Sequence, residues 1–232
     1  MDVLDEVAAV VPVRSDRPSV VAVTGAVAVG KSTVAAQLAD ALAPRRVVIV
    51  STDGFLMTNA DLVARDILLR KGFPESYDVG ALRAFLADVT AGRRAEAPVY
   101  SHLTYDRVPG ARQIVQTSDV VVVEGLHLLH DDLAPLRSFF DLSVFLDADD
   151  ADLERWYIAR FRQLVLRARD EPDAFKFFRS LTPDAVEDAA RMTWQAVNAP
   201  NVSECIRPTR SRADIVLEKA SDHTLRRIVA RR

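Results

Sequence analysis

Residues 19–33 read SVVAVTGAVAVGKST, and this stretch decides the fold. The β-branched run from Ser19 to Thr24 predicts a strand. Gly25 to Ser32 matches the pattern G-x-x-x-x-G-K-S throughout, and residues 31–43, rich in Ala, Leu and Gln, predict a helix. Strand, glycine-bounded loop and helix in that order are the context in which this pattern grips phosphate. Main-chain N–H groups of the loop converge on phosphate oxygens, the helix N-terminus adds positive potential, Lys31 neutralises the outer phosphates and the Ser32 hydroxyl suits Mg2+. The reading is nucleoside triphosphate binding; the alternative is a glycine turn with a solvated lysine.

Working outward, the continuous apolar run Val47-Val48-Ile49-Val50 predicts a strand covered on both faces. Residues 119–125 and 142–147 predict two more buried strands, and residues 213–217 a last apolar run before a basic tail. Between them, helices are predicted over about 60–70, 79–91, 150–169 and 183–198. The second has Leu82, Phe85, Leu86 and Val89 at helical spacing and Asp78 as its N-cap, while Pro172 helps to end the third. Strands alternating with helices predict an α/β chain with a mainly parallel sheet and helices on both faces. Such a sheet binds ligands at the carboxyl ends of its strands.

The chain has 232 residues, which at roughly 150 per domain predicts one domain over residues 1–232. Apolar residues make up 49 % and charged residues 27 %, the composition of a packed globular body. Thirty Lys and Arg against 33 Asp and Glu leave a net charge of −3, so the molecule as a whole attracts neither nucleic acid nor an anionic membrane. An acidic N-terminus and no apolar run of membrane-spanning length predict neither export nor insertion. A single cysteine, Cys205, cannot pair within the chain and fits a reducing cytoplasm.

Triphosphate binding leaves the phosphoryl acceptor open. Asp53, in Ser51-Thr52-Asp53-Gly54-Phe55, follows the second strand and is expected one strand over from the phosphate loop, where it can take a proton from a hydroxyl. An Asp-Gly turn explains the same residues equally well. Glu124 ends the 120–123 strand, a place suited to a Mg2+ ligand; a cap is its alternative. His127 and His130 are expected to be partly exposed and without a role.

At this point the chain resembles the bacterial type I pantothenate kinases, which use ATP to phosphorylate pantothenate at the start of coenzyme A synthesis. The resemblance rests on GAVAVGKST (25–33), STDGFL (51–56), RKGFPESYD (70–78), APVYSHLTYD (97–106), VEGL (123–126), WYIARF (156–161), PTRSRA (208–213) and residues 219–223. It implies the P-loop kinase fold, with Gly25, Ala28, Gly30, Lys31, Ser32 and Thr33 on the nucleotide. It further implies Asp53 as general base, Lys31 and Arg160 as stabilisers of the transferred phosphoryl group, and Mg2+ near Ser32 and Glu124. By the same resemblance Tyr157 and Asn198 hold pantothenate, Tyr100, His102 and Tyr105 line the substrate and coenzyme A region, and Lys219 and His223 lie by the adenine. Taken singly, the tyrosines also read as packing aromatics, the histidines as surface imidazoles and Asn198 as a helix cap. Arg207, Arg210 and Arg212 are expected to form a solvated basic turn.

The departures set further expectations. An N-terminal extension of typical members is expected to be missing. Ala36 stands where an arginine meets coenzyme A phosphates, which predicts weakened inhibition by coenzyme A. Leu164 replaces a pocket phenylalanine, and Phe175-Lys176-Phe177-Phe178 looks one residue short. Dimerisation is expected by analogy. The rival readings are a kinase for another hydroxylated metabolite, a nucleoside or sugar, and a non-catalytic nucleotide or coenzyme A sensor.

Overall fold

The computed structural model describes residues 2–168 and 180–228; Pro172 and the segment 175–178 lie outside the described residues. Among the described residues the main sheet has six strands, in the order β2 (Val47–Ser51), β5 (Val120–Gly125), β1 (Ser19–Gly25), β6 (Leu142–Asp147), β7 (Ile215–Lys219) and β8 (Leu225–Ile228). In the centre, β1 (Ser19–Gly25) pairs in parallel with β5 (Val120–Gly125) and β6 (Leu142–Asp147). Beyond them, β2 (Val47–Ser51) lies parallel to β5 and β7 (Ile215–Lys219) parallel to β6. The expected basic tail instead contains a strand, β8 (Leu225–Ile228), antiparallel to β7.

Every residue of β1 and β5 is buried, as continuous Val-rich runs require when helices cover both faces. Alternate side chains feed two cores. Val21, Val23, Val120 and Val122 pack with Leu4 and Val7 of α1 (Val3–Val10) and with Val34 and Leu38 of α2 (Lys31–Ala41). Val20, Ala22, Val121 and Val123 pack with Leu82, Phe85, Leu86 and Val89 of α4 (Val79–Thr90). Each such Leu or Phe stabilises the fold by roughly 1.5–3 kcal/mol.

Local chemistry sets the ends of the elements. Asp2 caps α1 in a capping box with Asp5, and Asp78 accepts from Ala81 N at the start of α4. The helix expected over 60–70 is only α3 (Asn59–Ala64), because Asp66 turns left-handed at φ +55° and residues 68–70 form a single 3-10 turn. α5 (Asp150–Arg167) packs against α6 (Pro183–Thr193), which continues as π-helical turns over Trp194–Asn198 and Asn201–Ile206.

A hairpin of β3 (Ala95–Ser101) and β4 (Asp106–Val115) closes over the second core. It seats against the turn after β2 at Gly54, where any Cβ would run into the Pro98 carbonyl. Arg207, Arg210 and Arg212 lie on a partly exposed turn, as expected, but each is ion-paired. Arg207 pairs with Asp150 at 2.6 Å, Arg210 with Asp147 at 2.6 Å and Arg212 with Asp131 at 2.7 Å, pinning the 3-10 turn Arg207–Arg212 beneath the sheet's carboxyl edge.

Candidate active site

β1 ends in the phosphate loop, where φ reaches +148° at Gly25, +62° at Ala28 and +98° at Gly30, the N-cap of α2. Lys31 Nζ folds back to donate to the Ala26 carbonyl at 2.9 Å. Desolvation lowers the Lys31 pKa, and the nearby carboxylates of Glu124 and Asp53 oppose that fall. Ser32 Oγ donates to Glu124 Oε1 at 3.1 Å, so a hydroxyl and a carboxylate oxygen lie together at the mouth of the loop. Hard oxygen donors of this kind, with phosphate and water completing the shell, suit Mg2+.

Asp53 sits in the 3-10 turn Thr52–Phe55 after β2, where Ser51 Oγ accepts from its N–H. β2 is two strands from β1, not one, with β5 and Glu124 between them. This turn is bound to the segment after α3: Asp78 N donates to Phe55 O and Met57 N to Ser76 O, both at 2.8 Å. Across from it, Arg160 on α5 donates to His102 Nε2 at 3.3 Å, and the same nitrogen lies 3.6 Å from Asp53 Oδ2. Because arginine only donates, His102 Nε2 is the acceptor and its proton is on Nδ1. Desolvation lowers the His102 pKa, with Asp53 opposing and Arg160 reinforcing.

These groups line one cavity of about 890 Å3. It holds every residue nominated from the sequence except Gly25, whose Cβ would strike the Leu146 backbone. Ala28, Gly30, Thr33, Lys219 and His223 gather at one end, with Lys219 Nζ donating to Val29 O at 3.0 Å. Tyr100 and Tyr105, with ring centroids 6.3 Å apart, and Tyr157 with Asn198 line the cavity as well. Burial pushes the Tyr157 hydroxyl up to about 12 against hydrogen bonds with Asn198 and Thr193, and Tyr100 and Tyr105 are raised by burial too. Leu164 is on the wall; Ala36 is not.

Lys71 and Trp156 line the cavity and escaped the sequence reading. Lys71 is 6 % exposed, its Nζ donating to Asn59 Oδ1 and Tyr105 O at 2.6 Å and lying 5.1 and 4.7 Å from the Tyr100 and Tyr105 ring centroids. Desolvation brings its pKa down to about 8. Trp156 stacks on His223 with centroids 4.9 Å apart, and Lys219 Nζ lies 4.6 Å over the same indole. Both residues fall inside segments quoted above, Lys71 just ahead of Gly-Phe-Pro and Trp156 just ahead of Tyr157, and that adjacency was their only signal. His127, expected to be partly exposed, is buried and hydrogen-bonded.

Residues 20–226 match the model of the phosphoribulokinase/uridine kinase family. The chain is 48 % identical to a pantothenate kinase of Sorangium cellulosum, over 93 % of this chain and 73 % of that one. It is 45 % identical to a pantothenate kinase of Streptomyces coelicolor, over 94 % and 71 %. A solved structure assigned as a fructose transport system kinase of Silicibacter sp. TM1040 superposes with a TM-score of 0.76 at 26 % identity, covering 93 % of this chain and 99 % of that one. Among the described residues, no helix is long and apolar enough to cross a membrane.

Proposed function

The chain belongs to the phosphoribulokinase/uridine kinase family and, within it, to the pantothenate kinases, and from that premise we propose how it phosphorylates pantothenate to 4'-phosphopantothenate with ATP. The observation that carries the proposal is the placement of the Asp53 carboxylate, the phosphate loop and a buried cation, Lys71, in one cavity. Pantothenate has a primary hydroxyl at one end and a carboxylate at the other. Its hydroxyl is to face Asp53 and its carboxylate the Lys71 ammonium between Tyr100 and Tyr105. A nucleoside or neutral sugar brings no negative charge to pair with that ammonium, and a mere sensor has no need of a base at the phosphate loop.

Asp53 accepts the hydroxyl proton as the oxygen attacks the terminal phosphorus, and the bond to the bridging oxygen breaks to release ADP. Lys31 leaves the Ala26 carbonyl for the phosphate oxygens, and Arg160 adds positive charge from the opposite wall. His102, neutral and accepting from Arg160, holds that guanidinium beside the base. Tyr157 and Asn198 bind the body of the substrate. The nucleotide base is to rest by Trp156 and His223, with Lys219 at its side. Ser32 and Glu124 are to hold Mg2+, which supplies charge neutralisation on the phosphates.

The reading includes a single domain, a cytoplasmic location, a homodimer and, because Ala36 carries no charge, weak inhibition by coenzyme A. It is tested by ADP release over a panel of pantothenate, uridine and fructose. Turnover with pantothenate alone is expected; turnover with uridine or fructose and none with pantothenate refutes it.

A further inference from the structure

One backbone carbonyl at the edge of the cavity receives two buried side chains from distant parts of the chain. His127, three residues past Glu124, places Nε2 at 2.7 Å from Gly72 O, and Asn201, in the second π-helical turn, donates to the same oxygen from Nδ2 at 2.8 Å. The two side chains belong to residues 2 % and 4 % exposed. A carbonyl only accepts, so His127 carries its proton on Nε2. His127 Nδ1 and Asn201 Oδ1 are then buried with no partner among the described residues. Apolar side chains would fill the same space without stranding two polar atoms, so packing alone does not account for this pair.

Gly72 has φ +91°, a left-handed conformation that other residues adopt only under strain. Its N–H donates to Ser76 Oγ at 3.0 Å, and Ser76 Oγ donates in turn to Phe73 O at 2.6 Å. The turn is therefore fixed from within by Ser76 and from outside by His127 and Asn201. The Gly72 N–H belongs to the peptide that follows Lys71 and the Gly72 carbonyl to the next one, so fixing both at Gly72 holds the backbone from which the Lys71 side chain enters the pocket.

We propose that His127 and Asn201 are positioning residues for substrate, acting through their shared acceptor, the Gly72 carbonyl, to hold Lys71 against Tyr100 and Tyr105. The clamp joins the loop after Glu124 to the wall that meets the acceptor. Its effect on substrate rests on the role given above to Lys71; its effect on Lys71 does not.

Two measurements on full-length protein decide it. In the first, pantothenate and ATP kinetics are compared for wild type, His127→Leu, Asn201→Leu and His127→Gln, each alone and combined with Lys71→Met. The leucine variants are expected to raise KM for pantothenate about tenfold with KM for ATP within about twofold of wild type, and to add nothing once Lys71 is methionine. His127→Gln keeps a donor near the Nε2 position and is expected to recover most of the loss. In the second, the Lys71 13Cε resonance is followed against pH without substrate. It is expected to titrate near pH 8 in wild type, and the leucine variants are expected to move that titration upward as the ammonium gains water. An unmoved Lys71 titration, equal changes in both KM values, or effects that persist beside Lys71→Met each overturn the clamp. If wild type fails to use pantothenate, the functional reading falls, and the Lys71 titration still decides the clamp.

Discussion

His102 Nε2 stands 3.6 Å from Asp53 Oδ2, too far for a hydrogen bond yet close enough that a protonated imidazole would seize the carboxylate. Desolvation, assisted by Arg160 and opposed by Asp53, lowers the imidazole's pKa and so favours its neutral form, which does not compete for the Asp53 carboxylate. Asp53→Asn is expected to lower kcat by about 10²–10⁴-fold while leaving ATP affinity within about twofold, measured by steady-state kinetics and calorimetry. A variant with wild-type kcat removes Asp53 from the role of base.

Lys71 gives a pH signature. Its pKa is pulled down to about 8, chiefly by desolvation, with Asp106 and Asp53 opposing and Arg107 adding to the fall. The pantothenate carboxylate is ionised throughout, so raising pH through 8 removes only the cation. KM for pantothenate is expected to climb above pH 8 while KM for ATP stays level, and Lys71→Met is expected to start high and show no such rise.

Buried His127 links folding to acid. Its pKa in the fold is about 3, against an ordinary 6.5, because burial opposes the charged ring. Between those values the unfolded chain binds a proton that the folded one excludes. Stability from this group is therefore full above pH 6.5 and is lost as pH falls towards 3, by up to about 1.4 kcal/mol per pH unit. Denaturant titrations at pH 7 and pH 5 are expected to show a drop that His127→Gln reduces; an equal drop in both proteins refutes the assignment.

Ala36 lies on α2 and does not reach the cavity. Restoring a guanidinium there, as Ala36→Arg, is expected to strengthen inhibition by coenzyme A about tenfold or more, the scale of one charge-assisted contact. Inhibition constants for the two proteins, measured at fixed ATP, check this; no change detaches position 36 from coenzyme A.

The central strands and the phosphate loop were legible because β1 and β5 are covered on both faces, leaving a continuous apolar signature, and because the loop's glycines and lysine sit at fixed spacing. The β3–β4 hairpin was not, since the register shift around Pro98 and the half-buried Tyr100 break the alternation that marks a strand. β8 hid behind its arginines, and α3 stopped early at a left-handed aspartate that helical spacing does not reveal. Asp53 and Glu124 could be nominated because they lie at or just past the carboxyl ends of predicted strands. Lys71, Asn201 and His127 could not, because their importance lies in contacts with residues between 34 and 129 positions away.

The order β2-β5-β1 puts Asp53, Glu124 and the phosphate loop at the carboxyl ends of three neighbouring rails of one sheet. Adjacent rails are about 4.8 Å apart, so roughly 10 Å separates the outer two by main-chain hydrogen bonding alone. That gauge belongs to the backbone, and exchanges of side chain in the acceptor wall leave it untouched. The wall can therefore be recut for a different alcohol without disturbing the track along which phosphate travels.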